Sequence, residues 1–215
     1  MDAPEYLPIE VNADFSQRVV LDTNALDWVP SPLLGVDRRM LDRIGDEVAR
    51  ATSIVRYAPG SSFSAHTRSG GEEFLVLDGV FSDEHDDCGP GLYVRNPVGF
   101  ARTQSSAPGC TILVKLWQMY PEDQTFVRTD ARNGDWQETD AVGAEKLALQ
   151  SFGPEEVMMF RLAPGASVPR HGHSGARGFW CWRANWPTST TAIRRAAGCG
   201  ARRARNMRPS AIAGA

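Results

Sequence analysis

The sequence predicts an all-β protein in which one barrel-like domain occurs twice. Short apolar runs are separated by Gly- and Pro-rich turns about every 8–12 residues, which is typical of a β-sandwich or β-barrel. A related segment also returns after 105 residues, so that the run starting at Arg56 matches the run starting at Arg161, and His66 matches His171. A repeat at that distance indicates two copies of one domain.

The composition is that of a globular protein without membrane segments. Apolar residues make up 42% of the chain and charged residues 23%, both ordinary values. The sequence has no run of about 18 apolar residues, so we expect no membrane span. Residues 1–15 lack the apolar segment of a signal peptide. Cys88, Cys110, Cys181 and Cys199 show no CxxC spacing, which favours reduced thiols in a cytoplasmic protein.

Charge divides the chain into an acidic body and a basic C-terminal segment. Residues 176–215 contain eight arginines and neither acidic residues nor lysine, whereas the preceding residues carry 15 basic and 26 acidic side chains. An acidic body repels nucleic acid. We therefore expect neither a nucleic-acid partner nor a membrane partner.

The elements of the first repeat follow from local patterns. Residues 49–57 alternate apolar and polar side chains, as a half-buried strand does, and residues 73–77 form a short apolar run typical of a buried strand. Asp78-Gly79 indicates a hairpin turn, and Trp28 to Pro32 indicates an earlier turn. The predicted strands are residues 18–22, 38–44, 49–57, 61–66, 73–77, 80–84, 92–96 and 110–118.

The second repeat is predicted to begin after a short linker. Strands are predicted at residues 126–129, 147–152 and 156–162, and Ala163-Pro164-Gly165 then breaks the chain as Ala58-Pro59-Gly60 does in the first repeat. The predicted organisation is an N-terminal arm (1–17), the first repeat (18–120), a linker (121–125), the N-terminal part of the second repeat (126–175) and an Arg-rich tail (176–215).

These motifs resemble the ChrR-type cupin-like family. The pattern PG-x5-H-x-H-x3-E-x6-G is represented by Pro59-Gly60, His66, Glu72 and Gly79, and the runs FLVLDGVFSDEH and G-x-YVRNP follow it. The resemblance covers about residues 15–175 as two copies. It implies tandem cupin barrels, which are jelly-roll-like double-stranded β-helices, with the second barrel truncated.

The resemblance also implies a divalent metal, Zn or Fe, held by two histidines, one glutamate and a third histidine. The physical chemistry of such a site is reasonable, because His-x-His on a strand places both imidazoles on one face. Three imidazoles and one carboxylate suit several transition metals.

The first repeat departs from this ligand set at two of four positions. Arg68 stands at the place of the second histidine and Arg102 at the place of the third. A guanidinium does not lose its proton to bind metal, so the first repeat, with only His66 and Glu72 retained, is predicted to be metal-free. One hypothesis pairs both arginines with Glu72 or Glu73 inside the barrel. The alternative leaves both arginines solvated at the barrel mouth.

The second repeat retains part of the ligand set. His171 and His173 form an intact HxH at the repeat's ligand position and are the predicted metal ligands. The site is incomplete, because Ala176-Arg177-Gly178 stands where the first repeat has Gly71-Glu72-Glu73. We expect metal binding in this chain to be weak or absent.

Back-translation offers an explanation for that departure. Trp180-Cys181-Trp182 allows few codons, and a frame moved by one base permits Leu-Val-Leu-Glu, which matches Leu75 to Asp78 in register. We therefore interpret residues 176–215 as out-of-frame translation after about Gly175, and expect this tail to be disordered or poorly packed. The alternative is a genuine basic tail that binds nucleic acid or a membrane.

Two functions remain open from the sequence. The first is a stand-alone small-molecule-binding or stress-sensing module, with a metal site in the second barrel of an intact homologue. The alternative is a cupin-type non-haem metal-dependent dioxygenase acting on a small carbonyl compound, inactive in this chain. The resemblance allows a homodimer and identifies neither the ligand nor the native metal.

Overall fold

The computed structural model of the chain describes residues 9–46, 48–167, 177–181 and 191–195. Apart from one 3-10 turn, Thr23–Ala25, the regular structure in these ranges is β-strand. Within the same ranges no helix has the length and apolar character that crossing a bilayer requires. The strands are β1 (Glu10–Val11), β2 (Val19–Asp22), β3 (Val29–Pro30), β4 (Val36–Ile44), β5 (Arg50–Tyr57), β6 (Ser61–Arg68), β7 (Glu72–Gly79), β8 (Phe81–Ser82), β9 (Asp87–Cys88), β10 (Leu92–Asn96), β11 (Phe100–Ser106), β12 (Cys110–Leu116), β13 (Val127–Asp130), β14 (Gln137–Glu138), β15 (Ala144–Phe152), β16 (Glu155–Leu162), β17 (Arg177–Cys181) and β18 (Thr191–Arg195).

The first repeat folds as two antiparallel sheets around an apolar interior. The larger sheet has the order β1-β4-β5-β12-β7-β10-β13, with β3 also on β4, and the smaller has the order β6-β11-β8-β9. On the central strand β7, Phe74 and Val76 pack in the interior core, whereas Leu75 and Leu77 pack on the outer face with residues of β15 and β16. Because other side chains cover both faces of β7, its sequence is a continuous apolar run over residues 74–77. The all-β cupin-like fold predicted from the sequence is confirmed.

The predicted hairpin at Asp78-Gly79 is wrong. β7 does not pair with β8, because β8 joins the smaller sheet beside β11 and β9. Gly79 has φ +72°, and a Cβ on it would lie 2.0 Å from the carbonyl oxygen of Gly109. The glycine therefore marks the point where the chain crosses from one sheet to the other, rather than a two-residue turn between paired strands.

Three further expectations need correction. The predicted N-terminal arm contributes a strand, β1, whose Glu10 pairs with Ile44 of β4. The predicted turn near Trp28 includes the short strand β3, which pairs with β4. Strand β11 was not predicted, because its sequence, FARTQSS, alternates apolar and polar residues too weakly to stand out.

The strands of the two repeats correspond closely. β4 and β15 have nine residues each, and their first residues, Val36 and Ala144, are 108 positions apart in the sequence. β5 and β16 have eight residues each, and their first residues, Arg50 and Glu155, are 105 positions apart. The difference of three arises because the loop between β15 and β16 is three residues shorter than the loop between β4 and β5. Both hairpins also carry a register shift at the corresponding place, between Met40 and Asp42 in one and between Ala148 and Gln150 in the other.

The first strand of each repeat pairs with a strand outside its own repeat. β13 follows the linker but pairs with β10 of the first repeat, Leu92 opposite Asp130. In the same way β2 pairs with β18 in the three-stranded sheet β17-β18-β2, Asp22 opposite Thr191. The remaining strands of the second repeat form the sheet β14-β15-β16.

The tail contains two strands that the sequence did not predict. Residues 177–181 and 191–195 form the paired strands β17 and β18, whereas residues 176–215 were expected to be disordered or poorly packed. The other tail residues, together with His171 and His173, lie outside the described residues, so the expectation about them stays a prediction.

Candidate functional site

The interior of the first barrel contains a buried ion pair at one end of β7. Glu72 opens β7 and Arg102 lies on β11, and each is 1% exposed. Arg102 Nε donates to Glu72 Oε1 at 2.6 Å, Nη2 contacts the same oxygen, and Asn96 Nδ2 donates to it at 3.2 Å. The predicted pairing of Arg102 with Glu72 is confirmed, and the alternative of a solvated Arg102 is wrong.

Aromatic rings enclose the guanidinium of Arg102. Its central carbon lies 4.8 Å from the centre of the Phe74 ring and 4.6 Å from that of Phe81. An arginine over aromatic faces gains a cation–π attraction that grows as water is excluded. These contacts hold the guanidinium in one place beside Glu72.

A row of alternating charges leads from this pair toward β13. Arg102 Nη1 lies 3.6 Å from Asp83 Oδ2, an ion pair too long for a hydrogen bond. The same Asp83 oxygen accepts from Arg128 Nη2 at 2.5 Å, and Arg128 Nη1 approaches Cys88 Sγ at 3.3 Å. Burial raises the pKa of the Cys88 thiol, which keeps it protonated and unreactive. Arg128 lies on β13, so the second repeat contributes a residue to the charge row of the first.

The described part of the first barrel does not fit a metal ion. A guanidinium is bound to Glu72, the one carboxylate of the predicted ligand set, and guanidinium cannot serve as a ligand. On the backbone, His66 lies opposite Arg102, and Arg68 lies opposite Phe100; the side chains of His66 and Arg68 lie outside what the structure describes. In the described residues, no group of three His, Cys, Asp or Glu side chains could hold a metal.

A second buried charge cluster lies on the outer face of β7, around Glu73. Glu73 Oε2 accepts from the Tyr93 hydroxyl at 2.5 Å and from Arg95 Nη1 at 3.0 Å, and Lys115 Nζ donates to Oε1. Arg95, fully buried, also donates at 2.8 Å to Glu155 of β16. The outer cluster therefore connects the two repeats through the ion pair of Arg95 with Glu155.

The linker takes part in the same cluster through Asp123. Its Oδ2 accepts from Arg95 Nη2 at 2.8 Å and from Gln150 Nε2 at 3.1 Å. Asp123 was predicted only as part of the linker. Apart from Glu73, which the sequence marked as a candidate partner of the arginines, the cluster was missed, because its residues are scattered over five segments and no motif links them.

Ion pairs and hydrogen bonds determine the protonation of the outer cluster. Burial alone would raise the pKa of Glu73, but the charge and hydrogen bond of Lys115 and the bonds from Tyr93 and Arg95 outweigh it and lower that pKa. Burial would also raise the pKa of Asp123, but hydrogen bonds from Thr125, Arg95 and Gln150 outweigh that effect and lower this pKa. The pKa of Tyr93 is raised by burial and by the nearby charge of Glu73. Both carboxylates are thus held ionised at neutral pH.

The cysteines agree with the reduced state in the described part of the chain. Cys88 and Cys110 are buried free thiols. Burial raises the pKa of Cys110 to about 11. Cys199 and the side chain of Cys181 lie outside the described residues.

Solved structures with the same fold match most of the chain. A protein of Pseudomonas aeruginosa, provisionally described as glyoxylate-induced, is 12% identical over 91% of this chain and 85% of its own, with a TM-score of 0.62. The protein YlbA of E. coli is 18% identical over 86% of this chain and 84% of its own, with a TM-score of 0.57. At these identities the likeness shows the fold alone.

A third structure is provisionally described as a dioxygenase, from Nostoc punctiforme. It is 19% identical over 75% of this chain, with a TM-score of 0.57, and the chain spans 64% of its length. This likeness too shows the fold alone. No curated protein matches the chain by sequence.

The family that matches by sequence is described as the ChrR cupin-like domain, and the match spans residues 16–120. Those residues contain the interior ion pair and the strands that hold it. The first repeat of this chain is therefore similar in sequence to the ChrR cupin-like domain.

Proposed function

We propose that the chain is a small-molecule-binding or stress-sensing cupin module whose first barrel works without a metal. The observation that carries the proposal is the buried pair of Arg102 and Glu72, joined at 2.6 Å in the barrel interior. A guanidinium there supplies a fixed positive charge that cannot be exchanged and has no open coordination position. Recognition of a ligand, rather than metal-assisted chemistry, is the role that such a barrel favours.

The same proposal assigns an incomplete metal site to the second repeat. His171 and His173 occupy the sequence positions that correspond to His66 and Arg68. Two imidazoles can begin a Zn or Fe site, but a stable one needs further ligands and an ordered surrounding. In this chain the two histidines would bind a divalent metal weakly.

The proposed organisation is a pair of repeats, 18–120 and 126–175, the second incomplete. It is supported by the matching lengths of β4 and β15 and of β5 and β16, and by their matching register shifts.

We further attribute the tail to a one-base frameshift after about Gly175. Sequencing the gene across the codons for residues 173–178 tests this attribution: an additional base supports it, and an unchanged sequence overturns it.

Metal analysis of the purified full chain tests the proposal. After dialysis against a weak chelator, we expect much less than one metal ion per chain by mass spectrometry. The double variant Arg68→His, Arg102→His restores the four predicted ligands and should gain Zn, and adding Glu72→Gln should weaken that binding. Arg132→His, at an exposed position, is the matched control. A stoichiometric metal in the unmodified chain that survives His171→Ala would contradict a metal-free first barrel.

Oxygen uptake separates the sensing role from the dioxygenase alternative. The chain loaded with Fe(II) is offered a panel of small diketones and hydroxy-ketones while dissolved oxygen is recorded. The proposal expects no uptake above that of Fe(II) alone. Substrate-dependent uptake that is lost in His171→Ala would replace it with the dioxygenase.

A further inference from the structure

The turn that joins β13 to β14 contains the one Asn-Gly pair of the sequence, Asn133-Gly134. Asn133 is exposed and Gly134 is half-buried. The backbone nitrogen that follows an asparagine can attack the carbon of the side-chain amide, and a side chain on that following residue hinders the attack. Glycine has no side chain and samples a wide range of backbone dihedrals. The pair therefore makes Asn133 the asparagine whose side chain is easiest to attack.

The turn is held together by Asp130, the last residue of β13. Asn133 N donates to the carbonyl oxygen of Asp130 at 3.1 Å, and Asn133 Nδ2 donates to Asp130 Oδ2 at 3.0 Å. Arg132 donates to both carboxylate oxygens, from Nε at 2.9 Å and from Nη2 at 3.0 Å. The hydrogen bonds from Arg132 are the largest cause that lowers the pKa of Asp130. The side chain of Asn133 therefore donates to a carboxylate that is ionised at neutral pH.

The same turn contacts the first repeat. Ala131 N donates to the carbonyl oxygen of Gly91 at 2.9 Å. The side chain of Arg132 lies against Gly91, where an added Cβ would be 3.2 Å from Arg132 Cγ. On the side of the second repeat, the indole of Trp136 donates to the carbonyl oxygen of Ala131 at 2.7 Å. Asn133 is thus two residues away from a hydrogen bond that joins the repeats.

We propose that Asn133 deamidates spontaneously and that its product weakens the contact of this turn with the first repeat. The backbone nitrogen of Gly134 forms a bond to Asn133 Cγ and gives up its proton to water, while the Cγ–Nδ2 bond breaks and ammonia leaves. Water then opens the cyclic imide at either of its carbonyl groups, which leaves aspartate or isoaspartate at this position. The reaction uses only water, so the proposal does not depend on any ligand or metal of either repeat.

Both products disturb the turn. The amide that donated to Asp130 becomes a carboxylate, so two negative charges face each other where a hydrogen bond stood, and like charges at that distance repel. Isoaspartate also adds one methylene to the main chain. The backbone hydrogen bonds from Asn133 to Asp130 and from Trp136 to Gly134 fit the present length of the turn. We therefore expect the hydrogen bond between Ala131 and Gly91 to open more often after deamidation.

Ageing of the purified full chain in warm, mildly alkaline buffer tests the proposal. Peptide mapping by mass spectrometry should show conversion of Asn133 at least about tenfold faster than that of Asn24, which is also exposed but precedes alanine. The aged chain should unfold at a Tm about 2–4 °C lower, with faster amide exchange in residues 127–136. Asn133→Ser cannot deamidate and should keep its Tm on ageing. Asn24→Ser is the matched control and should lose Tm as the unmodified chain does.

Three outcomes would overturn the proposal. Conversion at Asn133 that is no faster than at Asn24 would remove the site. Conversion at Asn133 without a change in Tm or amide exchange would remove its effect on the contact between the repeats. A loss of Tm on ageing that persists in Asn133→Ser would assign the loss to damage elsewhere in the chain. Peptide mapping of the unmodified chain decides the first point even if Asn133→Ser folds poorly.

Discussion

Glu72 and Glu73 are adjacent on β7, both are buried, and they face opposite ways. Glu72 points into the barrel, where Arg102 and Asn96 bind it. Glu73 points outward to Arg95 and Lys115, in the cluster that reaches the second repeat. The alternation of side chains along a strand thus assigns two neighbouring acids to different parts of the molecule. One belongs to the candidate ligand site and the other to the contact between the repeats.

The two clusters differ in how their charges are compensated. Arg102 is bound to one carboxylate and lies near a second, whereas Arg95 contacts three carboxylates, those of Glu73, Asp123 and Glu155. A buried charge is tolerated only when partners replace the lost water. We infer that the outer cluster contributes mainly to stability and the contact between repeats, and that the interior pair can be altered at lower cost.

The largest expected effect is on Arg95. Its replacement by methionine leaves three carboxylates around an apolar side chain, so we expect the free energy of unfolding to fall by about 3–5 kcal/mol. Urea denaturation followed by tryptophan fluorescence measures the change. Arg132→Met is the control, because Arg132 is exposed and pairs with its close neighbour Asp130, and it should leave the free energy of unfolding nearly unchanged. Equal losses in the two variants would contradict a stabilising role for the outer cluster.

The interior pair should respond less strongly. Glu72→Gln removes the negative charge beside Arg102 but keeps a hydrogen-bond acceptor of the same shape, so we expect a loss of about 1–3 kcal/mol. The same urea titration measures it. If Glu72→Gln costs more than Arg95→Met, the interior pair, not the outer cluster, carries the stability of the first barrel.

Lowering the pH should reveal the contribution of Glu73 to stability. The pKa of Glu73 is lower in the folded chain than in a free side chain, so the stability it supplies is present at neutral pH and is lost as pH falls through the folded-state pKa. Asp123 acts in the same direction. Glu73→Gln removes one of these groups and should flatten the acid limb of a plot of unfolding free energy against pH. An acid limb unchanged from that of the unmodified chain would show that Glu73 does not titrate as inferred.

Much of this architecture is readable from local patterns, whereas the outer cluster is not. The strand β10 is predicted to the residue, and Arg102 is identified because it replaces a family histidine. The side chains around Arg95 are missed because their partners lie up to 60 residues away and meet only when two repeats pack together. The hairpin signal at Asp78-Gly79 fails for a related reason, since a glycine that allows positive φ serves a crossing between sheets equally well.

The smallest expected effect belongs to Lys115, and it tests the outer cluster most finely. Lys115 is partly exposed, so solvent screens its pair with Glu73. Lys115→Met should therefore cost only about 0–1 kcal/mol at neutral pH. Glu73 would keep its bonds from Tyr93 and Arg95, yet lose the largest of the contributions that lower its pKa. Its pKa should therefore rise, and the acid-side loss of stability should begin at a higher pH. Lys146→Met, at an exposed position on β15, is the control that should leave the acid limb in place.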